Sequence, residues 1–220
     1  MSKISVIMPV CLTPYEIMAG KTLVKSASNP EIKFIRAVNS FLNQTHPDKE
    51  LIVVHDGCEI SRQILYKTFD TFLNSGVIKS VSIPKQEPYS GQMRNTGIAV
   101  SDPYKSDIIA YLDADDYIGK DHLCIINKCF DTEKYDWVYY NDFIVKSMNP
   151  FEYMIREVEP VACRIGTSSI CHKKDIDLQW GSGYGHDFNM IEKYLLPLKK
   201  TKIQTPQYYV CHVSGLGIDY

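Results

Sequence analysis

The chain lacks a long apolar run and a large net charge, and each absence excludes classes of protein. No uninterrupted apolar segment approaches the ~20 residues of a membrane-spanning helix. The apolar run near the N-terminus, Ile4–Val10, is too short for a signal peptide. The formal net charge is -2, which predicts no nucleic-acid partner and no polybasic membrane contact. We therefore expect a soluble, cytoplasmic protein with no membrane span.

Closely spaced cysteines and glycine-rich nucleotide loops are also missing. The 7 cysteines are scattered, odd in number and without a C-x-x-C pair. This pattern is typical of reduced cytosolic thiols rather than of a disulfide framework or a zinc site. No G-x-G-x-x-G segment follows a predicted strand, which argues against a dehydrogenase.

The sequence does have a regular alternation of short apolar runs and amphipathic segments. With 220 residues and 45% hydrophobic content, one well-packed domain is expected. The alternation favours an α/β sandwich, with a mostly parallel central sheet flanked by helices. Strands are predicted at Ile4–Val10, Leu51–Val54, Ser80–Ile83, Ile108–Leu112, Trp137–Tyr140 and Gln207–Val213, and helices at Phe34–Asn43, Ser61–Ser75, Gly91–Ser101, Asp121–Phe130 and Asp187–Leu196.

Two stretches of the chain are less regular. Cys11–Lys33 is polar and holds two prolines, so a long loop is predicted there. After Asn141 the periodicity weakens, and Ile144–Arg164 has room for an antiparallel strand. No linker or internal repeat divides the chain.

An acidic cluster follows the fourth predicted strand. The run Ile108–Leu112 delivers three carboxylates, Asp113, Asp115 and Asp116, which repel one another unless a positive group holds them together. Hard oxygen ligands at a strand end suit Mg²⁺ or Mn²⁺, which typically takes one or two carboxylates and the phosphates of a substrate. The alternative is an acidic turn after a buried strand.

Polar residues follow two other strands as well. Pro9 stands near the end of the first strand, and Asp56 with Gly57 ends the second. In an open α/β sheet, ligands bind outside the carboxyl ends of the strands. We therefore expect these positions and the acidic cluster to form one site.

Four sequence blocks together resemble family 2 glycosyltransferases of the GT-A fold. They read I-S-V-I-M-P-V, S-F-L-N-Q-T-H-P-D-K-E-L-I-V-V-H-D-G-C, S-G-Q-M-R-N-T-G-I-A and Y-L-D-A-D-D-Y, in that order. The resemblance is strong from Ile4 to about Ile118 and weak beyond. It implies a GT-A sandwich in one domain over residues 1–220, with a nucleotide-sugar-binding half at 1–140 and an acceptor-binding half at 141–220. The donor is then a nucleotide-sugar, with UDP favoured.

The resemblance assigns donor-binding roles to residues on three strand ends. The position of Asp56 contacts the nucleotide base, and a carboxylate there selects an imide N–H such as that of uracil. Its alternative is an Asx-turn. His55 and Cys58 depart from the usual Asp and Ser. Pro9 is placed in the same site.

A second donor element lies at the predicted third helix. Gly91 and Arg94 match G-x-x-x-R-N, in which glycine permits close approach and the guanidinium neutralises phosphate. The alternative is an ordinary helix start with an exposed arginine. In the D-x-D signature, Asp113 and Ala114 are expected at the ribose, and Asp115 is expected at the metal.

The remaining assignments concern the metal and the catalytic base. Asp116 and the late His212 are further candidate ligands for Mn²⁺ or Mg²⁺. The family's acidic pair at a helix start is matched by His186-Asp187, in which His186 replaces the usual Glu. Asp187 is the candidate general base for an acceptor hydroxyl, and the alternative is that it only caps its helix. The segment Gly166–Ser169 is a candidate for the acceptor side.

The predicted function is that of an inverting glycosyltransferase, with other readings left open. Its partners are a nucleotide-sugar and a glycan, lipid-linked sugar or protein hydroxyl, and a homodimer is possible. A nucleotidyltransferase would need a glycine-rich loop where Cys11–Tyr15 stands. A degenerate domain that binds nucleotide-sugar or glycan without turnover would explain the altered acidic pair.

Overall fold

The computed structural model describes residues 2–12, 29–85, 90–102, 106–131, 134–148, 151–183, 185–205 and 207–211. The strands are β1 (Lys3–Val10), β2 (Lys49–Asp56), β3 (Ile78–Ile83), β4 (Ser106–Tyr111), β5 (Tyr117–Ile118), β6 (Trp137–Tyr140), β7 (Asp142–Met148), β8 (Phe151–Arg156), β9 (Ile170–Lys173), β10 (Lys200–Ile203) and β11 (Tyr208–Val210). The helices are α1 (Pro30–Leu42), α2 (Glu59–Asn74), α3 (Gly91–Val100), α4 (His122–Phe130) and α5 (His186–Met190), which a π-helical turn extends over Ile191–Leu195.

A 7-stranded sheet in the order β10-β6-β9-β4-β1-β2-β3 forms the centre of the molecule. Its neighbours are parallel, except that β9 runs antiparallel to both β4 and β6. Because β1 lies between β2 and β4, the carboxyl ends of these three strands share one edge of the sheet. The prediction of a mostly parallel sheet in a single α/β domain is confirmed.

Apolar side chains of β1 alternate between the two faces of the sheet and bury both of them. Met8 lies in a core cluster that includes Phe34 of α1, Leu65 of α2 and Leu123 of α4. Ile7 points to the opposite face, into the cluster that holds α5 and its π-helical turn. Helices therefore cover both faces, as the continuous apolar runs of buried parallel strands predict.

A smaller sheet of 4 strands, in the order β5-β11-β7-β8, joins the two halves of the chain. The strand β5 follows the acidic cluster directly and pairs antiparallel with β11. On its other side β11 runs parallel to β7, which forms a hairpin with β8. The late strand thus anchors the acidic loop to the second half.

The structure differs from the sequence predictions mainly in the irregular regions. α1 begins at Pro30 rather than at Phe34, because proline is tolerated in the first helical turn. Two strands, β7 and β8, replace the single one expected in 144–164. The short strands β5, β9 and β10 were not predicted, and most of the predicted loop at 11–33 lies outside the described residues.

Candidate active site

The predicted strand-end residues meet at the shared edge of β4, β1 and β2. Val10 is in register with His55, so Pro9 and Asp56 lie on neighbouring strands. Leu112, the residue after β4, donates its N–H to the carbonyl of Ile7 at 3.1 Å. Pairing with β1 thus continues to Leu112, and Asp113 lies at the same edge.

The buried side chain of Arg94, in α3, contacts both this edge of the sheet and the second half of the chain. The residue is 3% exposed, so the alternative of an exposed arginine is excluded. Nη2 donates to Asp113 Oδ1 at 2.9 Å, and Nη1 lies 3.1 Å from His186 Nε2. The guanidinium also lies 5.0 Å from the centre of the Trp180 ring. One cation therefore contacts both the D-x-D loop and the start of α5.

The backbone around Trp180 fixes the start of α3, and through it Arg94. Asn95 accepts from the Trp180 N–H at 2.8 Å and donates to the Trp180 carbonyl at 3.0 Å. A Cβ on Gly91 would lie 2.0 Å from the carbonyl oxygen of Gly181. Glycine is therefore required at position 91 because the Gly181 backbone comes so close to it. The sequence analysis had instead expected the donor to approach this glycine.

The carboxylates of the acidic cluster repel one another. Burial and the charge of Asp115 raise the pKa of Asp113 above its ordinary value, although Arg94 opposes the shift. Burial raises the pKa of Asp116 well above its ordinary value, and Asp115 and Asp113 add to the shift. The carboxylates therefore oppose one another's ionisation at this edge, and a bound cation would relieve that repulsion.

Asp116 occupies a different environment from the other two carboxylates. It is 3% exposed, and its Oδ1 accepts the Cys211 N–H at 2.7 Å. The Tyr208 hydroxyl contacts it and also accepts the Asp113 N–H at 2.9 Å. These contacts tie the loop to β11, and they favour a structural role for Asp116 over direct metal coordination.

The donor set fits a substrate-bridged divalent ion better than a site made of protein alone. The described residues contain no group of three or more His, Cys, Asp or Glu arranged to hold a metal ion. Asp113, which pairs with Arg94, and Asp115 would supply carboxylate oxygens, and Mg²⁺ or Mn²⁺ commonly takes only one or two carboxylates beside substrate phosphates. His212 lies outside the described residues.

At the end of β2 the two side chains of the His55-Asp56 pair differ in role. Asp56 is fully buried, and its Oδ2 accepts from Lys85 Nζ at 2.8 Å. His55 bridges Ser61 and Ser80 through its ring nitrogens at 2.7 and 3.0 Å, and burial lowers its pKa to about 4. His55 thus packs the sheet, and the polar edge is formed by Asp56 with Lys85.

Asp187, the candidate base, lies in the first turn of α5. The helix begins at His186, and its capping residue is Gly185, so the reading of Asp187 as an N-cap is not supported. Oδ1 lies 2.8 Å from His186 Nε2. Burial alone would raise the pKa of Asp187, but the contact with His186 and the charge of Arg94 outweigh it and lower that pKa. Asp187 is therefore ionised at neutral pH.

The segment expected on the acceptor side divides into two roles. Thr167 lies beside Asp187 and helps to lower the pKa of that carboxyl. Ser168 and Ser169 instead donate to the buried carboxylate of Asp142, at 3.2 and 2.9 Å, and Arg156 pairs with the same carboxylate. The buried carboxylate of Asp142 thus holds the turn that places Thr167 beside Asp187.

Three contributors to the site were missed from the sequence. Lys85 lies in a polar stretch with no periodicity, Trp180 lies in an irregular segment, and Tyr208 lies in a predicted late strand in which only His212 was given a role. Each acts through a contact distant in sequence, and the blocks that resemble the family contain none of the three. Asn95, by contrast, stands beside Arg94 inside such a block.

The fold and the strand-end site define a GT-A sandwich of the glycosyltransferase class. The model of glycosyl transferase family 2 matches residues 29–191, and the chain belongs to that family. A comparison with curated protein sequences gives no match. Within the described residues, no helix has the length and apolar character needed to cross a membrane.

Solved structures with the same fold include S. aureus TarS. The TarS 1-349 structure is 18% identical, with a TM-score of 0.69 over 95% of this chain and 60% of that chain. TarS 1-349 in complex with UDP is also 18% identical, with a TM-score of 0.69 over 96% and 60% of the two chains. The complex with UDP-GlcNAc gives 18% identity and a TM-score of 0.67 over 99% and 61%. The chain thus spans about three fifths of these structures.

Proposed function

We propose that the chain transfers a sugar from a UDP-sugar to an acceptor hydroxyl, with inversion at the anomeric carbon. The observation that carries this proposal is the buried Arg94, which contacts Asp113 on the donor side and His186 beside Asp187. One cation thereby contacts both the donor edge and the start of the helix that carries Asp187. The complexes of the TarS structure with UDP and UDP-GlcNAc support the choice of uracil nucleotide.

The donor lies across the carboxyl ends of the strands. Asp56 accepts from the base, and Lys85 beside it compensates the buried carboxylate. Asp113 and Ala114 meet the ribose, and Pro9 forms the floor between the neighbouring strands. Gly91 takes part by allowing the Gly181 backbone to close one side of the site.

A divalent cation, Mn²⁺ or Mg²⁺, is proposed at Asp115, with Asp113 beside it. When bound, the ion would offset the charge that develops on the leaving nucleoside diphosphate. The mutual repulsion of the carboxylates supports its presence. Asp116 is assigned to the support of the loop, and the assignment of His212 stays a prediction.

Asp187 removes the proton of the acceptor hydroxyl. The acceptor oxygen forms its bond to the anomeric carbon as the bond from that carbon to the diphosphate oxygen breaks, and the diphosphate leaves with the electron pair. One displacement inverts the configuration. Asp187 Oδ1 is buried against His186, so Oδ2 is the oxygen that meets the acceptor. Positioning and base catalysis together supply the rate enhancement.

Residues 1–140 act as the nucleotide-sugar half and residues 141–220 as the acceptor half in this proposal. The acceptor is a hydroxyl of a glycan, a lipid-linked sugar or a protein. All 7 cysteines are free thiols, which supports a reducing, cytoplasmic setting. A homodimer is compatible with the proposal but carries no part of it.

The experiment is a screen of UDP-sugars for UDP release with simple hydroxyl acceptors, in the presence of Mn²⁺. We expect turnover with at least one donor, a product of inverted anomeric configuration by NMR, and a fall in kcat of about 10³-fold in Asp187→Asn. Donor binding without turnover by the wild type would favour the degenerate domain instead. Retention of configuration would contradict the single displacement.

A further inference from the structure

We propose that Gly166 determines which acceptors reach the base: because it has no side chain, it leaves room beside Asp187 for a secondary hydroxyl, such as one on a sugar ring. The inference rests on the proposed function, since it takes Asp187 as the base. It deepens that function by assigning a class of acceptor and a residue that selects it.

The two carboxylate oxygens of Asp187 differ in their exposure. Oδ1 is buried and lies 2.8 Å from His186 Nε2. The side chain as a whole is still 32% exposed, so its accessible surface belongs to the other atoms, of which Oδ2 is the polar one. An acceptor hydroxyl therefore has to reach the base at Oδ2.

Gly166 lies next to that oxygen. A Cβ added to Gly166 would stand 3.6 Å from Asp187 Oδ2. Among the described residues it would meet nothing else within 4 Å beyond its own chain neighbours. The place of a side chain at position 166 is thus open space directly beside the base oxygen.

Neither the backbone nor the packing requires a glycine at position 166. Its φ of -145° and ψ of -177° are extended values, which any residue can adopt. The separation of 3.6 Å is an ordinary van der Waals contact, whereas a Cβ on Gly91 would lie 2.0 Å from a backbone oxygen. A small side chain at position 166 would therefore fit the fold, and what it would take away is space beside the base.

That space is where the acceptor carbon has to lie. A general base takes a proton from a hydroxyl whose oxygen lies roughly 2.6–3.2 Å away. The carbon that carries the hydroxyl is one bond further out, at about the distance of the missing Cβ. A secondary hydroxyl stands on a carbon with two carbon substituents, a primary hydroxyl on a carbon with one, and water has none. The need for open space beside Oδ2 falls in that order.

The turn that carries Gly166 is held by its own contacts, which limit its movement away from the base. The Gly166 carbonyl accepts the Ser169 N–H at 3.1 Å. The hydroxyls of Ser168 and Ser169 donate to the buried carboxylate of Asp142, with which Arg156 also pairs. A side chain at position 166 would therefore stay beside the base oxygen and narrow the approach of the acceptor.

The test compares Gly166→Ala and Gly166→Val with the wild type in three reactions of one UDP-sugar: transfer to a secondary hydroxyl, transfer to a primary hydroxyl, and hydrolysis. In hydrolysis the water oxygen bonds to the anomeric carbon, its proton goes to Asp187, and the diphosphate leaves with the electron pair. We expect kcat/KM for the secondary acceptor to fall about 10-fold in the Ala variant and about 10²-fold in the Val variant. The loss should be smaller for the primary acceptor and smallest for hydrolysis.

Controls separate this steric role from a loss of the fold or of the donor site. Gly181→Ala is the matched variant, because a Cβ there meets nothing within 4 Å. Urea midpoints and the UDP dissociation constant should be the same in the Gly166 variants as in this control. Equal losses in all three reactions, full activity on the secondary acceptor, or weaker UDP binding that matches the loss would overturn the proposal. If the wild type neither transfers nor hydrolyses any donor, the proposed function itself fails, and this inference fails with it.

Discussion

Lys85 Nζ donates to Asp56 Oδ2 at 2.8 Å, and the carboxylate is fully buried while the lysine side chain is 46% exposed. A surface cation thus reaches over the end of β2 to a carboxylate inside the sheet. Gly57, with φ of 60°, makes this possible, since a Cβ there would lie 3.0 Å from the Lys85 backbone.

Replacing Lys85 therefore tests how far the buried carboxylate depends on it. We expect Lys85→Met to lower the free energy of unfolding by about 1 kcal/mol, because solvent screens a half-exposed partner. UDP affinity should change as well, since Asp56 is the proposed base contact. Urea denaturation measures the first effect, and calorimetry measures the second. The exposed Lys67 of α2, changed to Met, is the control, and an equal loss in both variants would deny the pair any role.

Gly91→Ala should destabilise the chain, because its new Cβ would lie 2.0 Å from the backbone oxygen of Gly181. We expect a loss of about 1–3 kcal/mol in the free energy of unfolding, as for other overpacked sites. The matched control is Gly181→Ala, where a Cβ meets nothing within 4 Å and the φ is not left-handed. Equal urea midpoints for the two variants would contradict the packing described here.

Arg94→Lys tests whether position 94 needs two separate hydrogen-bond donors or only a positive charge. A lysine ammonium is a point donor and cannot span Asp113 and His186 as two guanidinium nitrogens do. We expect kcat to fall by about 10²-fold with the charge retained. Steady-state kinetics on the donor found by the screen decides this. A variant with wild-type kcat would show that the two contacts are not both used.

Buried neutral histidines predict how stability depends on pH. Burial lowers the pKa of His55 and of His172 to about 4, and that of His122 to about 3, from an ordinary value of 6.5. The unfolded chain binds more protons than the folded one below pH 6.5, so stability is complete above that pH and falls as the pH drops towards 4. The slope contributed by each histidine is at most about 1.4 kcal/mol per pH unit.

The variant that isolates one of these histidines is His122→Phe. The ring packs edge-on against Tyr140 at 5.1 Å and Tyr208 at 6.1 Å, and phenylalanine keeps this packing but loses the hydrogen bond of Nε2 with the Tyr140 hydroxyl at 3.4 Å. We expect a shallower dependence of the urea-derived unfolding free energy on pH between 6.5 and 4. An unaltered slope would mean that His122 does not titrate on unfolding.

The sequence predicted those parts of the fold that depend on local pattern. The predicted runs within β1, β2 and β4 are almost entirely apolar because both of their faces are buried, so continuous apolar character located them. β9 and β10 have only 4 residues each and owe their existence to pairing with distant strands, which no local pattern records.

The candidate site was predicted to a similar extent. Asp56 and Asp113 stand at strand ends, where topology alone brings ligand-facing residues together, and the structure places both at one edge. Arg94 was predicted at the donor, but its second contact, with His186, joins positions 92 residues apart. This contact depends on how α5 packs against the sheet, so it cannot be predicted from the local sequence around either Arg94 or His186.

The most direct test of the account is a calorimetric titration of UDP into the wild-type chain, with and without Mn²⁺, beside Asp115→Ala and with GDP as the comparison nucleotide. We predict binding of UDP that depends on Mn²⁺ and is lost in the variant, and weaker binding of GDP, in line with the UDP-sugar donor proposed above. Equal UDP binding by the variant would remove the proposed cation from Asp115. No binding of either nucleotide would contradict the account of the donor site.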